Sequence, residues 1–147
     1  VKVDTLAQGF ELLQKENSLI IGGGAWLKLT NKDIDSVIDI SAVGLNEIID
    51  KDDEIEIGAM VSLRQIETSE IISKQFNGIL SNAVGKIMGI PIRNIATIGG
   101  SIMGKYSFSD VLTPLLVNKS KYSWGKSSPT TETIAASTLK KLEAKPI

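Results

Sequence analysis

Apolar positions recur along this chain with two periods, about three to four residues in some stretches and two in others, separated by glycines and polar turns. After Asp4, which reads as an N-cap, Leu6, Phe10 and Leu13 fall on one face and predict a helix ending near Asn17. Ser18-Leu19-Ile20-Ile21 is a short apolar run stopped by Gly22-Gly23-Gly24, the pattern of a buried strand entering a glycine loop. Residues 36–40 (SVIDI) and 54–58 (EIEIG) alternate in the manner of strands, with Lys51-Asp52-Asp53 as the turn before the second. Residues 62–69 predict a short helix capped by Ser62. From 71 to 88 the apolar residues keep near-helical spacing with a break at Gly78, and Pro91 ends the segment. Residues 95–98 read as a further strand halted by Gly99-Gly100, and 110–117 as a short helix that tolerates Pro114 near its start. Mixed helices and strands of this kind predict an α/β or α+β architecture.

Composition narrows the chemistry more than the fold. At 147 residues the chain is one domain, or two small subdomains sharing a core. There is no cysteine and no histidine, which removes disulfides, thiolate nucleophiles, iron–sulfur ligation, the Ser-His-Asp triad and most zinc sites. Chemistry must therefore come from carboxylates, lysines, arginines, hydroxyls, backbone amides or a borrowed cofactor. A net charge of −1, with arginine only at positions 64 and 93, argues against nucleic acid as the main partner. No run approaches the roughly 18 apolar residues of a membrane span, and residues 1–10 lack a signal peptide's apolar core; the expected compartment is the cytoplasm. Charge is uneven: residues 31–70 hold eleven acids against three bases, read as an acidic solvated face, whereas 119–147 hold six lysines against two glutamates.

Two glycine junctions carry the candidate chemistry, Leu19-Ile20-Ile21-Gly22-Gly23-Gly24 and Ala96-Thr97-Ile98-Gly99-Gly100-Ser101. Glycine lets backbone approach a ligand with no Cβ in the way, and successive free N–H groups form a concavity that favours an anion such as phosphate. Thr97 and Ser101 add hydroxyls that donate to phosphate oxygens or accept from a ribityl chain. Neither loop fits G-x-G-x-x-G or the Walker A pattern, and a tight turn alone explains a glycine run.

In order along the chain, LIIGGGAWL, PIRNIATIGGSIMG and FSDVLTPLL, with IEIGAMVSLRQIE between the first two, resemble the FAD-binding subunit of molybdenum hydroxylases. That family includes the flavin domains of xanthine dehydrogenase and carbon monoxide dehydrogenase. The likeness covers roughly residues 4–117, and 91–104 and 108–116 are its specific parts. It implies an α+β, two-subdomain, vanillyl-alcohol-oxidase-like flavin fold, with residues 1–55 and 56–118 as the two FAD-binding subdomains. FAD is the implied cofactor. By the same resemblance Leu19, Ile20, Ile21, Gly22, Gly23, Gly24, Ala25 and Trp26 wrap its pyrophosphate and adjoining ribose. Thr97, Ile98, Gly99, Gly100 and Ser101 line the diphosphate and ribityl side, Asp110 accepts from a cofactor hydroxyl, and Ile87 makes a hydrophobic contact. Arg93-Asn94 position the second loop.

The resemblance also implies an electron-transfer role. Partners would be a molybdopterin-binding large subunit and an iron–sulfur small subunit, with electrons passing through FAD to NAD or a similar acceptor. No catalytic side chain and no metal ligand is expected in this chain, because redox chemistry belongs to the cofactor. Two other functions stay open: a non-redox binding module for a phosphorylated ligand, and a self-contained flavin oxidoreductase. The first loop departs from the family's G-G-T-[DE]-L, since Gly24 and Ala25 replace the polar pair and leave backbone donors only. Trp26 either stacks on a cofactor ring or packs as an ordinary tryptophan; Lys105 and Tyr106 either face the isoalloxazine or a docking surface, or are solvated loop residues. Residues 119–147 resemble a fragment of the family's C-terminal domain, a strand, a turn at Ser127-Ser128-Pro129-Thr130 and a helix over 132–143. That fragment implies intervening residues missing near 117–121.

Overall fold

The structure is a computed structural model that describes residues 1–25, 33–104, 106–117, 121–124 and 134–140. Helix α1 (Leu6–Leu13) begins at Thr5, whose hydroxyl accepts from the Gln8 N–H at 3.3 Å; Thr5, one residue beyond Asp4, is the cap because its backbone is extended and its side chain reaches that donor. The apolar run then forms β1 (Ser18–Ile21), which pairs in parallel with β2 (Ser36–Asp39) from Ser18 opposite Ser36 to Ile21 opposite Asp39. Parallel pairing needs a crossover, and the chain between these strands includes the glycine loop. Val3, Ile38 and Ile40 are buried beneath this layer, with Leu12, Leu13 and Ile20 packed against them.

A second layer is built on β4 (Glu54–Gly58), where the expected alternation buries Ile55 and Ile57 completely. Its hairpin partner β3 (Ile48–Asp50) escaped the sequence pattern because it is only three residues long. The four-stranded sheet runs β3-β4-β6-β5, antiparallel throughout, with β5 (Lys121–Trp124) and β6 (Ile134–Lys140) supplied by the tail. The helix expected over 132–143 is therefore corrected to a strand where the chain is described. Helix-forming Ala, Leu and Lys are overridden because Ile134–Lys140 satisfies the hydrogen-bonding edge of β4 on one side and β5 on the other.

Helices cover this sheet. Helix α2 (Leu63–Thr68) starts with a reciprocal capping box: the Gln65 N–H donates to Ser62 Oγ at 3.1 Å and the Ser62 N–H donates to Gln65 Oε1 at 2.9 Å. The long pattern after it divides into α3 (Glu70–Ser73), a 3-10 turn (Phe76–Gly78) and α4 (Ile79–Gly85), broken where Asn77 and Gly78 turn left-handed. Pro91 does not end a helix. It lies in the first turn of α5 (Ile90–Ile95), where its missing N–H has no intrahelical partner to lose. The strand expected over 95–98 is likewise corrected: α5 ends at Ile95, Ala96 and Thr97 are extended, and α6 (Ile98–Met103) begins at once. Gly99 and Gly100 thus lie inside a helical turn. Helix α7 (Leu112–Val117) follows, with Pro114 and Leu115 buried. Fully buried Ile55, Ile57, Val61, Ile66, Val84, Ile98 and Leu115 form the larger core, each such side chain contributing about 1.5–3 kcal/mol by leaving water. The architecture is α+β.

Candidate functional site

The two glycine segments meet. They form opposite walls of a cleft of about 310 Å³, with residues 19–25 on one side and Ala96, Thr97, Gly100, Ser101, Met103, Gly104 and Tyr106 on the other. The seam is backbone against backbone. A Cβ on Gly23 would coincide with the Ile95 carbonyl, and one on Gly22 would lie 2.6 Å from Thr97 Oγ1. Gly24 has φ +70°, a left-handed conformation that a side chain disfavours.

The donors divide unequally between the walls. Among the described residues no hydrogen bond engages the N–H groups of Gly22, Gly23 or Gly24, which leaves them for a ligand. On the facing wall the corresponding amides are already bonded. Ile98 N–H donates to the Val61 carbonyl at 2.9 Å, Gly99 N–H to the Ala59 carbonyl at 2.9 Å, and Gly100 N–H to Thr97 Oγ1 at 3.2 Å. The expectation of bare amides at both bends is corrected accordingly: the second segment is a capped helix start, and its glycines serve packing. A Cβ on Gly99 would lie 2.7 Å from the Ala59 carbonyl oxygen. Thr97 accepts from Gly100, and its own hydroxyl proton has no acceptor among the described residues. The Ser101 hydroxyl donates to the Thr97 carbonyl at 2.9 Å.

A smaller cleft of about 120 Å³ adjoins the first and shares Ser101 and Tyr106 with it. Ile87, Met88, Phe108, Asp110 and Val111 complete much of its lining, and the Tyr106 and Phe108 rings stack at 5.3 Å. Of the residues singled out from sequence, Leu19 to Ala25, Thr97, Gly100 and Ser101 lie on the larger cleft, and Ile87, Asp110 and again Ser101 on the smaller. Ile98 and Gly99 are buried and line neither; Trp26 lies outside the described residues. Met103 and Gly104 on the larger cleft were not singled out, because the strand expected at 95–98 hid the helix that ends there, and Tyr106 lines both clefts instead of being only a solvated loop residue. Across the glycine loop a polar groove of about 500 Å³ is lined by Asp39, Ser41, Asn46, Gln65 and Asn94, among others. There the Ser41 N–H, 2.8 Å from Asp39 Oδ1, holds the Asp39 carboxyl below its ordinary range.

Behind the clefts Arg93 is buried, with its Nε 2.9 Å from Glu67 Oε2. Arg64 stands 2.8 Å from the same oxygen. Arg64 first and Arg93 second hold the Glu67 carboxyl below the usual carboxylate range.

This set of groups suits an extended dinucleotide: N–H groups without a partner among the described residues and a hydroxyl for a diphosphate, glycines where side chains would intrude, and an apolar annex for a flat ring. Comparison with known proteins agrees. Residues 1–145 match the family described as the FAD binding domain in molybdopterin dehydrogenase. The carbon monoxide dehydrogenase from Hydrogenophaga pseudoflava, in a structure lacking the Mo-pyranopterin moiety, superposes with a TM-score of 0.85 at 18% identity, over 97% of this chain and 58% of that one. Quinoline 2-oxidoreductase from Pseudomonas putida 86 gives a TM-score of 0.79 at 18% identity, over 96% of this chain and 58% of that one. Aldehyde oxidase 2 of Cavia porcellus is 30% identical over 82 residues, 49% of this chain and 6% of that protein. The fold is that of a flavin domain, and the chain spans 58% of the solved chains it superposes on. It belongs to the FAD-binding domain family of the molybdopterin dehydrogenases, and its cofactor is FAD.

Proposed function

We propose that this chain is the flavin-binding part of an electron-transfer subunit in a molybdenum-hydroxylase-type dehydrogenase. Electrons would come from iron–sulfur clusters of a small partner subunit, themselves supplied by a molybdopterin-binding large subunit, and leave through FAD for NAD or a similar acceptor, as in xanthine dehydrogenase-like enzymes. The carrying observation is that Gly22, Gly23 and Gly24, whose N–H groups have no partner among the described residues, line one cleft together with Thr97. We assign the diphosphate to that cleft and the isoalloxazine ring to the smaller one, with Ile87 against the ring and Asp110 accepting from a ribityl hydroxyl. When bound, FAD supplies the redox chemistry, taking up electrons singly or in pairs. The chain's own groups bind and orient: N–H donors hydrogen-bond the diphosphate oxygens, and apolar side chains keep water from one face of the ring.

We also place the division between the two FAD-binding halves ahead of β3 instead of at residue 55, since β3 and β4 pair, and we count β5 and β6 with the second half. A cytoplasmic location accords with the described residues, among which no helix is long and apolar enough to cross a membrane. The decisive experiment is an absorption spectrum of the purified protein with an FAD titration of any flavin-free fraction. A flavin spectrum with stoichiometric uptake is expected; a colourless protein that binds ADP but not FAD would instead establish a non-redox phosphate-binding module. Turnover of a small substrate by the isolated chain would select the self-contained oxidoreductase.

A further inference from the structure

Arg93 does more than balance Glu67. Arg93 is 7% exposed, and its guanidinium sends four hydrogen bonds in two directions. Nε and one terminal nitrogen donate to the two carboxylate oxygens of Glu67 at 2.9 and 3.3 Å. The other terminal nitrogen donates to the main-chain carbonyls of Ile87 at 2.9 Å and Met88 at 2.6 Å. Met88 is a non-glycine residue at φ +39°, in the left-handed region, where the backbone is disfavoured unless its surroundings hold it. Ile87 and Met88, the residues of that turn, line the smaller cleft. Arg93 also lies on α5, which delivers Ala96 and Thr97 to the larger cleft a few residues later. One planar fork therefore ties the wall of one cleft to the segment that forms the other.

We infer that Arg93 is a positioning residue for the flavin ring: by clamping the Ile87 and Met88 carbonyls with Glu67 as its anchor, it fixes the wall against which the ring lies. This rests on the assignment of the smaller cleft to the isoalloxazine. A merely structural ion pair would use the Glu67 contacts alone, and a lysine could replace it. A lysine is a point charge on a flexible stem and cannot grip a carboxylate and two carbonyls together.

The test uses the full chain loaded with FAD, comparing wild type with Arg93→Lys, Arg93→Ala, Glu67→Gln and Ile87→Ala. The readouts are the visible circular dichroism of bound flavin, the FAD dissociation constant and the unfolding midpoint. Arg93→Lys is expected to fold, to alter the flavin dichroism and to weaken FAD about tenfold, equivalent to about 1.4 kcal/mol. Glu67→Gln should move the dichroism in the same direction, and Ile87→Ala should change it independently. A folded Arg93→Lys with wild-type dichroism and affinity, alongside an altered Ile87→Ala, overturns the positioning role while sparing the cleft assignment. An Ile87→Ala protein with unchanged dichroism overturns the assignment itself and the inference with it. Should Arg93→Ala fail to fold, the lysine and glutamine variants still decide.

Discussion

At the scale of single residues, contacts between the two glycine segments decide what the cleft tolerates. A Cβ on Gly23 has nowhere to go except into the Ile95 carbonyl, so the backbone of one segment must move. Loss of the Thr97 hydroxyl removes one helix cap and one donor but no volume. Gly23→Ala is thus expected to abolish measurable FAD binding and lower the unfolding midpoint. Thr97→Val should weaken FAD about tenfold and cost the fold about 1 kcal/mol. Isothermal titration with FAD and thermal unfolding of both variants check the order; equal affinities would contradict it. Glycine here is required first by backbone packing and only then by ligand approach.

At the scale of elements, local signals that agree with tertiary demands were legible and the others were not. β1 and β4 follow from the apolar run and the strict alternation, and α2 from Ser62 with Gln65 three residues on. Because that capping box is complete, Ser62→Ala should cost about 1 kcal/mol and lower the melting temperature by roughly 4 °C, read by circular dichroism. Residues 95–98 misled because Ile95-Ala96-Thr97-Ile98 has strand composition, while Pro91 in a first turn and Thr97 as an N-cap make helices on either side. The tail misled in the opposite sense, helix-forming residues being drawn into the sheet by the edge of β4. Both glycine segments were legible as partners in one cleft, and the family resemblance supplied Asp110 and Ile87, which line the adjoining one. That the amides of the second segment are bonded to Val61 and Ala59 was not, since those partners lie about forty residues upstream and no local pattern announces them.

At the scale of the molecule, two layers with separate cores face each other across the cleft, and a ligand touching both should stabilise them together. FAD at about one hundred times its dissociation constant is expected to add about 2.7 kcal/mol, raising the melting temperature in a thermal-shift assay. ADP and riboflavin, each spanning only part of the site, should raise it less. Acid will act through the Arg64–Glu67–Arg93 network. Glu67 has its folded pKa depressed, so its contribution is complete above the ordinary glutamate value of about 4.3 and is lost as pH falls through the lower folded value. Stability measured in denaturant should therefore decline below that pH, and Glu67→Gln should flatten this part of the profile.

The Gly23–Ile95 joint carries a lesson for engineering. Main-chain atoms abutting main-chain atoms have no rotamers to repack, so the spacing between the walls is not adjustable by side-chain exchange at that joint. A library meant to retune the pocket for another nucleotide should leave positions 22, 23 and 95 alone and diversify Leu19 and Met103, which line the same space away from that joint.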